Sequence, residues 1–451
     1  MSLDTFFNPK SVAVIGASRE EKKIGHIILK NFINGFKGKI FPINPKADEI
    51  EGLKCYPKIS EINEEIDLAV IAIPAQFVPD VLEECGRKGV KSAIIVSGGF
   101  KEVGRADLEE RLKQIVKEYG IRVIGPNGLG VFDPYTGVDT IFNPREKLQR
   151  PEKGVIGFVS QSGATMSVIL DWMALKDYKL SKAISYGNAV DVDESDLIEY
   201  LNQDEKTKVI CVYIEGVKNG RKFFNTLKKV KKPVVVLKAG VTDAGKKAAT
   251  THTGSLAGEA EIYKAAIKQA GAIEAKDLEQ IFDFARVLAA QPLPKGNRVQ
   301  IITDGGGFGV LTSDYIVKSG MKVAQLSEKS KEKLRKIVPP HANLENMIDL
   351  TGDATKEMYR ISLETSLEDE NVDMIALILL PQPPMINPDI VDAVKEVFEK
   401  AKKPIIVISA GGEYTENLKK SLEENNIPTF SYPERAVEAM RALYEYAHSN
   451  L

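Results

Sequence analysis

Phe158-Val-Ser-Gln-Ser-Gly-Ala-Thr165 joins an apolar, β-branched run directly to a helical pattern, with only small or polar residues between them. A strand that passes straight into a helix through a short turn is typical of parallel α/β sheets. Thr303-Asp-Gly-Gly-Gly-Phe-Gly309 repeats this arrangement later in the chain. We therefore expect doubly wound, parallel α/β domains.

Short β-branched runs alternate with helical patterns along the whole chain, which supports the same fold class. The predicted strands are residues 12–16, 40–43, 68–73, 92–96 and 123–124, then 155–160, 182–185, 209–214 and 234–237, then 299–303, 321–323, 374–380, 405–408 and 428–430. They predict a Rossmann-like domain over residues 1–130, a second α/β domain over 131–292 and a third over 297–451. Two prolines and a glycine within residues 291–297 predict the last linker.

The composition excludes several classes of protein. Among 451 residues, 43% are hydrophobic and 27% charged, and the net charge is −2, so no basic footprint for nucleic acid is present. No apolar run is long enough to cross a membrane, and the N-terminal residues do not resemble a secretory signal. Cys55, Cys85 and Cys211 lack metal-ligand spacing and predict reduced, mostly buried thiols in a cytoplasmic protein without a metal site.

Two strand-to-helix turns are candidate phosphate sites, because the first N–H groups of a helix point at an anion placed there. The candidate residues are Gln161, Ser162 and Gly163 in one turn and Gly305, Gly306 and Gly307 in the other. Neither turn is a Walker A motif, since no Gly-Lys-Ser/Thr follows. We expect the two turns to share one phosphate position.

The first domain is predicted to bind a nucleotide with an extra phosphate, such as coenzyme A. Its first turn, Val14-Ile-Gly-Ala-Ser-Arg19, lacks the second and third glycines of a dinucleotide fingerprint. Its second strand ends in Asn44-Pro-Lys46, where an NAD site has Asp or Glu for the ribose. The candidate binding residues at this sheet edge are Gly16, Ser18, Arg19, Lys46, Ile73, Pro74, Ser97 and Gly98.

The segment from Gly240 to Gly258 contains His252 among glycines, lysines, threonines and a serine. We predict a long functional loop here, whose imidazole suits nucleophilic or proton-transfer chemistry. Glu215, at the end of the strand 209–214, could orient that imidazole by accepting a hydrogen bond from one of its nitrogens. His26, His341 and His448 are read as structural or exposed, and Asp193 as the cap of a helix that runs to Asn202.

Together these segments resemble the α subunit of ADP-forming (NDP-forming) acetyl-CoA synthetases, which are relatives of succinyl-CoA synthetase. The resemblance covers essentially the whole chain. The matching motifs are Val14-Ile-Gly-Ala-Ser18, Asn44-Pro-Lys46, Gly125-Pro-Asn-Gly128, Ser160-Gln-Ser-Gly163, Tyr213-Ile-Glu-Gly216, Thr251-His-Thr-Gly-Ser255 and Asp304-Gly-Gly-Gly307. The resemblance implies a CoA-binding domain, to which Asn127 also contributes, followed by two flavodoxin-like ligase domains.

By this resemblance, acyl-CoA, ADP and phosphate are converted reversibly to acid, ATP and CoA through acyl phosphate and a phosphohistidine at His252, oriented by Glu215. No ATP-grasp domain is readable in the chain, so the family implies a separate ATP-grasp β subunit, an α2β2 assembly and Mg²⁺ on the nucleotide. The alternatives are an NAD-dependent oxidoreductase, which Asn44-Pro-Lys46 disfavours, and a non-catalytic CoA-binding module of an acyltransferase system. The acyl group and the choice between ADP and GDP stay open.

Overall fold

The computed structural model describes residues 3–253 and 259–449. The chain divides into two compact units, Met1–Leu278 and Glu279–Leu451. Each is built on doubly wound parallel sheets, as the strand and helix patterns predict.

The first sheet of the first unit is entirely parallel and has the strand order β2-β1-β5-β6-β7. Its region of the chain contains β1 (Ser11–Ile15), α1 (Ile24–Gly35), β2 (Lys39–Ile43), β3 (Glu49–Ile50), β4 (Leu53–Lys54), β5 (Leu68–Ile71), α2 (Val78–Lys88), β6 (Ser92–Ile95), α3 (Ala106–Tyr119) and β7 (Arg122–Ile124). Strands β3 and β4 form a separate antiparallel hairpin. The strand order reverses between β1 and β5, and ligands bind at such a switch point in open α/β sheets.

The second sheet has seven strands in the order β14-β13-β12-β10-β11-β8-β9. Its region contains β8 (Gly130–Asp133), β9 (Val138–Asp139), β10 (Lys153–Ser160), α4 (Gly163–Leu175), β11 (Leu180–Ser185), α5 (Glu194–Gln203), β12 (Val209–Ile214), α6 (Gly220–Lys229), β13 (Val234–Lys238), α7 (Asp243–Thr253), α8 (Ala260–Gln269) and β14 (Ile273–Ala275). Strands β8 and β9 add to it in antiparallel fashion. The switch point of this sheet lies between β10 and β12.

The second unit carries a parallel sheet in the order β16-β15-β18-β19-β20, with β17 paired to β15. Its elements are α9 (Leu278–Ala290), β15 (Arg298–Thr303), α10 (Gly306–Lys318), β16 (Lys322–Val323), α11 (Glu328–Leu334), β17 (Ile348–Asp349), α12 (Lys356–Glu368), β18 (Met374–Ile378), α13 (Ile390–Phe398), β19 (Ile405–Ile408), α14 (Glu413–Glu424), β20 (Thr429–Phe430) and α15 (Pro433–His448). The strand order reverses beside β15, the first strand of this sheet in the sequence.

Alternate strand residues pack on opposite faces of the first sheet, which explains why its strands read as continuous apolar runs. Val12 and Val14 belong to one buried cluster, whereas Ala13 and Ile15 belong to another. The first of these clusters also includes Val159 and Ile210 of the second sheet. The two sheets of the first unit therefore share apolar core.

The division between the two units differs from the predicted linker at residues 291–297. Helix α9 packs within the second unit, where Arg435 donates to both carboxylate oxygens of Asp283 at 2.8 and 2.9 Å. Gln291 is buried, and its side-chain oxygen accepts a hydrogen bond from the Ile405 N–H at 2.9 Å. The boundaries of the three predicted domains stay a prediction.

The prediction that residues 240–258 form a loop without structure of its own is wrong for its central part. Residues Asp243–Thr253 form α7. Thr242 starts this helix, because its backbone oxygen accepts from the Lys246 N–H at 2.7 Å and its hydroxyl accepts from the Gly245 N–H at 3.1 Å. Lysine and alanine are good helix formers and outweigh the single glycine inside the helix.

Candidate functional site

Helix α4 begins at the carboxyl end of β10, at the switch point of the second sheet. Ser162 is its N-cap, and the Ser162 side chain accepts from the Thr165 N–H at 3.2 Å. The backbone N–H of Gln161 donates to the Tyr213 carbonyl of the neighbouring strand at 3.0 Å. The turn therefore presents the positive end of a helix dipole at the sheet edge, as an anion site requires.

Glu215 follows β12 at the same edge and is buried. The side-chain oxygen of Gln161 accepts from the backbone N–H groups of Glu215 and Gly216 at 2.7 and 3.1 Å. This Gln161 oxygen thus holds the Glu215 turn, a role that the sequence does not reveal. Burial raises the pKa of Tyr213 and the Glu215 charge adds to that rise, while burial lowers the pKa of Lys238 on the adjacent strand.

A cavity of about 440 Å³ opens where the carboxyl edges of the first and second sheets meet. Its walls include the α4 turn, Glu215 and residues that follow β6, β7 and β11. The residues lining it are Val96, Lys101, Glu109, Asn127, Gly128, Leu129, Phe142, Asn143, Gln161, Ser162, Gly163, Ala164, Ser167, Tyr186, Gly187, Asn188, Ala189, Glu194, Glu215, Gly216 and Lys218. Most of these residues were not predicted as site residues, because they come from segments far apart in the chain.

Glycines allow the two sheet edges to approach so closely. A Cβ on Gly187 would lie 2.2 Å from the Pro126 carbonyl oxygen, and a Cβ on Gly128 would lie 2.6 Å from the Ser185 carbonyl oxygen. The Asn188 N–H donates to the Pro126 carbonyl at 2.9 Å across this contact. The motif Gly125-Pro-Asn-Gly128 therefore forms the backbone contact between the two sheets.

A polar network closes one side of the cavity. The Asn188 side chain donates to Glu102 at 2.7 Å and to Glu109 at 3.2 Å, and it accepts from Asn127 at 3.3 Å. Lys218 donates to the carbonyls of Asn188 and Ala189 at 2.5 and 2.9 Å. Burial lowers the pKa of Lys218, although the nearby Glu109 opposes this effect.

The predicted coenzyme A residues lie after successive strands of the first sheet and therefore share its carboxyl edge. Ser97 donates to the Ile73 carbonyl at 2.6 Å and accepts, through its own carbonyl, from the Asn127 N–H at 2.9 Å. Asn44 donates to the Ala17 carbonyl at 2.7 Å and accepts from the Lys46 N–H at 2.9 Å. These bonds tie neighbouring strand-end turns together.

The glycine that brings α1 against the first turn is Gly25, which the fingerprint spacing misses. A Cβ on Gly25 would lie 1.9 Å from the Gly16 carbonyl oxygen, so only glycine fits there. Helix α1 begins at Ile24, later than a dinucleotide fingerprint predicts. The buried His26, next in the helix, is paired through Nδ1 with the Ser18 carbonyl oxygen at 2.9 Å.

The second candidate phosphate turn lies in the second unit and also begins a helix. Gly305 is the N-cap of α10, and no side chain caps it. Asp304 is buried beside it, and both of its carboxylate oxygens accept from the Leu380 N–H at 3.1 Å. Burial raises the pKa of Asp304 to about 7. That this turn and the α4 turn share one phosphate stays a prediction.

The backbone of His252 lies in α7, whereas its side chain and residues 254–258 lie outside the described part of the structure. The other predictions from single residues are clearer. Asp193 caps α5 in a capping box with Asp196, and all three cysteines are buried free thiols, both as predicted. His341 is exposed.

Within residues 3–253 and 259–449, no cluster of three or more His, Cys, Asp or Glu side chains is arranged to hold a metal ion. Among the described helices, none combines the length and the apolar character that crossing a bilayer requires.

Comparison with family models divides the chain into three consecutive matches. Residues 10–134 match a CoA binding domain, residues 153–288 a succinyl-CoA ligase like flavodoxin domain, and residues 299–451 a ligase-CoA domain. These matches support the predicted fold class, a CoA-binding domain followed by flavodoxin-like ligase domains.

Relatives that match nearly the whole of this chain support the same family. The chain is 42% identical over 455 residues to the Pyrococcus furiosus acetate–CoA ligase [ADP-forming] II subunit alpha, covering 99% of this chain and 98% of the relative. It is 45% identical over 445 residues to the Methanocaldococcus jannaschii acetate–CoA ligase [ADP-forming], but these span 97% of this chain and only 62% of that longer protein.

A solved structure is equally similar in fold. It is the dinucleotide forming acetyl-coenzyme A synthetase 1 of Ca. Korarchaeum cryptofilum in complex with phosphate and ADP, with a TM-score of 0.93, 39% identity, and coverage of 99% of this chain and 97% of that one. None of these similar proteins is an oxidoreductase, so that alternative is not supported. The chain belongs to the family of ADP-forming acetate–CoA ligases, as its sequence motifs predict.

Proposed function

We propose that this chain is the α subunit of an ADP-forming acyl-CoA synthetase. The reaction converts acyl-CoA, ADP and phosphate reversibly to the free acid, ATP and CoA. The proposal rests on the cavity in the first unit. The start of α4 and Glu215 line this cavity together with residues at the carboxyl edge of the CoA-binding sheet. A thioester held by the first sheet would there meet an anion site on the second.

In the proposed sequence of steps, coenzyme A lies along the carboxyl edge of the first sheet, and the exposed Lys46 contacts one of its phosphates. Inorganic phosphate binds at the N-terminus of α4, where the backbone N–H groups that follow Ser162 neutralise its charge. Phosphate attacks the thioester carbonyl, which yields acyl phosphate and CoA. Phosphoryl transfer then depends on positioning and charge neutralisation more than on covalent machinery.

His252 is the proposed acceptor of the phosphoryl group, and Glu215 is proposed to orient its imidazole. Burial supports the role of Glu215, because a carboxylate in a poorly solvated wall interacts strongly with a neighbouring N–H group. The phosphohistidine segment would then deliver the group to ADP on another chain. We infer a separate ATP-grasp β subunit, an α2β2 assembly in the cytoplasm, and Mg²⁺ bound with the nucleotide on that partner.

The test is co-purification of the full chain with an ATP-grasp chain, followed by labelling with γ-phosphate-labelled ATP. Acid-labile label is expected on the wild type and absent from His252→Ala. His341→Ala is the matched control, because His341 is also a histidine but is exposed in the second unit. Label that persists on His252→Ala would reject the proposed role, and synthesis of ATP from several acyl-CoA thioesters would identify the preferred acid.

A further inference from the structure

A buried acid in the cavity wall has no assigned role in the scheme above. Glu194 is the first residue of α5, it is only 3% exposed, and it lines the same cavity as Gln161–Gly163 and Glu215. Carboxylates in the first turn of a helix are usually solvated and interact with the helix dipole. Here the side chain is buried and forms part of the cavity wall instead.

The neighbouring tyrosine supplies a second observation. Tyr186 is 1% exposed and lines the cavity as well. Its hydroxyl lies beside the Glu194 carboxyl, and a side-chain hydrogen bond between the two groups lowers the pKa of Glu194. No other group among the described residues bonds this hydroxyl, so Tyr186 and Glu194 form one buried pair in the cavity wall.

We propose that Glu194, assisted by Tyr186, carries the proton that moves when phosphate and coenzyme A exchange on the acyl group. This proposal rests on the proposed function. A phosphate oxygen of HPO₄²⁻ forms a bond to the thioester carbonyl carbon, and the C–S bond breaks. The protonated carboxyl of Glu194 gives its proton to the leaving sulfur, and the carboxylate then takes the proton of the phosphate hydroxyl. The products are the acyl phosphate dianion and CoA thiol, with charge and protons balanced.

The charges around Glu194 suit a proton carrier. Burial raises the pKa of Glu194 to about 7, and the neighbouring Asp193 adds to the rise. Tyr186 and Lys222, which reaches across from α6, oppose it. Lys222 is itself neutralised by contacts with Asp193 at 2.9 Å and with Asp196 at 2.7 Å. An acid with this pKa exchanges protons readily near neutral pH.

Two further groups face Glu194 from other elements. Lys218 follows β12 and Tyr263 belongs to α8, and both interact electrostatically with the Glu194 carboxyl. Lys218 already binds two carbonyls and lies 3.8 Å from Glu109. No cation is therefore dedicated to Glu194 among these neighbours, which leaves its carboxyl able to hold a proton.

The test measures the exchange half-reaction in the α/β complex, with acetyl-CoA and phosphate in one direction and acetyl phosphate and CoA in the other. In the wild type, cleavage of acetyl-CoA needs the protonated acid, so kcat/KM falls as the pH rises through about 7. Glu194 ends the step protonated, so formation of acetyl-CoA also starts from the protonated acid, and its kcat/KM falls as the pH rises through the same range. The same pH limb in both directions is the signature of one proton carrier that begins and ends the step protonated.

Glu194→Gln is expected to slow both directions by about 100-fold or more and to remove these limbs. Labelling of His252 by ATP stays nearly intact in this variant, because that step does not use the acyl proton. Glu199→Gln, on the exposed side of the same helix, is the matched control and leaves both measurements unchanged. A Glu194→Gln enzyme with normal rates and pH limbs would overturn the proposal.

Tyr186→Phe gives a second readout that does not depend on the folding of Glu194→Gln. Loss of the hydroxyl removes a group that lowers the pKa of Glu194, so both limbs move to higher pH. If Glu194→Gln fails to fold, Tyr186→Phe still tests the proposal. An unchanged pH dependence of kcat/KM in Tyr186→Phe would by itself reject Glu194 as the proton carrier. A wild-type complex that neither labels on His252 nor makes acetyl phosphate would instead reject the proposed function itself.

Discussion

The side-chain oxygen of Gln161 accepts a hydrogen bond from the backbone N–H of Glu215 at 2.7 Å and so connects the two strand ends at the switch point of the second sheet. The same oxygen accepts from the Gly216 N–H at 3.1 Å. A single amide thus holds the turn that carries the candidate catalytic carboxylate in register with the α4 helix start.

Gln161→Met keeps the shape of this side chain and removes its acceptor. Two N–H groups of the Glu215 turn then lose their partner, so we expect the free energy of unfolding to fall by about 1–3 kcal/mol. Phosphohistidine formation falls as well, because the Glu215 turn is no longer held. Urea unfolding and ATP labelling check this, with the exposed Gln114→Met as control. Equal stability of both variants would show that the Gln161 hydrogen bonds do not hold the Glu215 turn.

Glu215→Gln tests the carboxylate and keeps the backbone N–H of residue 215, which donates to the Gln161 side chain. We expect phosphohistidine formation to fall by about tenfold or more, as a hydrogen bond to a charged group contributes roughly 1.5–3 kcal/mol. Affinity for CoA stays nearly the same. Labelling rates and calorimetric CoA titration measure the two effects, with exposed Glu205→Gln as control. Unchanged turnover would remove Glu215 from the mechanism.

Lys46→Ala tests the proposal that coenzyme A binds along the carboxyl edge of the first sheet. Removing a cation from a phosphate contact is expected to raise the dissociation constant of CoA by roughly tenfold and to weaken its salt dependence. Binding of ADP by the complex changes little. The exposed Lys58→Ala, in the same domain, serves as the comparison in a titration at two salt concentrations. Weaker ADP binding with normal CoA binding would reverse the assignment.

Gly25→Ala tests the contact between α1 and the first turn. The added Cβ would lie 1.9 Å from the Gly16 carbonyl oxygen, so backbone must move. We expect a loss of about 1–3 kcal/mol in stability, as for overpacked cores, and weaker CoA binding. Gly220→Ala is the control, because its Cβ meets only Val217 at 4.0 Å and alanine favours a helix. A stable Gly25→Ala protein that binds CoA normally would contradict the contact.

Asp304 makes the stability of the second unit depend on pH. Its pKa rises from 3.8 to about 7 on folding, chiefly through burial, so the folded state holds a proton that the unfolded state releases. The corresponding stability is present below pH 3.8 and is lost as the pH rises through about 7. In a calorimetric pH series, the unfolding midpoint temperature of Asp304→Asn should fall several degrees less than that of the wild type as the pH rises. The control is exposed Asp314→Asn, and parallel pH curves for all three proteins would refute the assignment.

Local patterns predicted the elements well, because they depend on neighbours in sequence. The strands 209–214 and 405–408 occur with the expected bounds. The Asp193 cap followed from a single polar residue before a periodic run. The loop prediction was wrong over residues Asp243–Thr253, because the lysines and alanines of α7 favour a helix more than its glycine and threonines oppose one.

The amino-acid sequence by itself determined the fold class, the order of the strands along the chain and the family, because periodicity and short motifs are local properties. Only the tertiary structure decided that Gln161 clamps the Glu215 turn, that Gly25 meets Gly16 and that Glu194 shares a cavity with the phosphate turn. Each of these relationships joins residues from separate strand ends. Parallel sheets bring such ends to one edge through crossovers, so their contacts depend on the packing of whole elements and are not encoded in any single stretch.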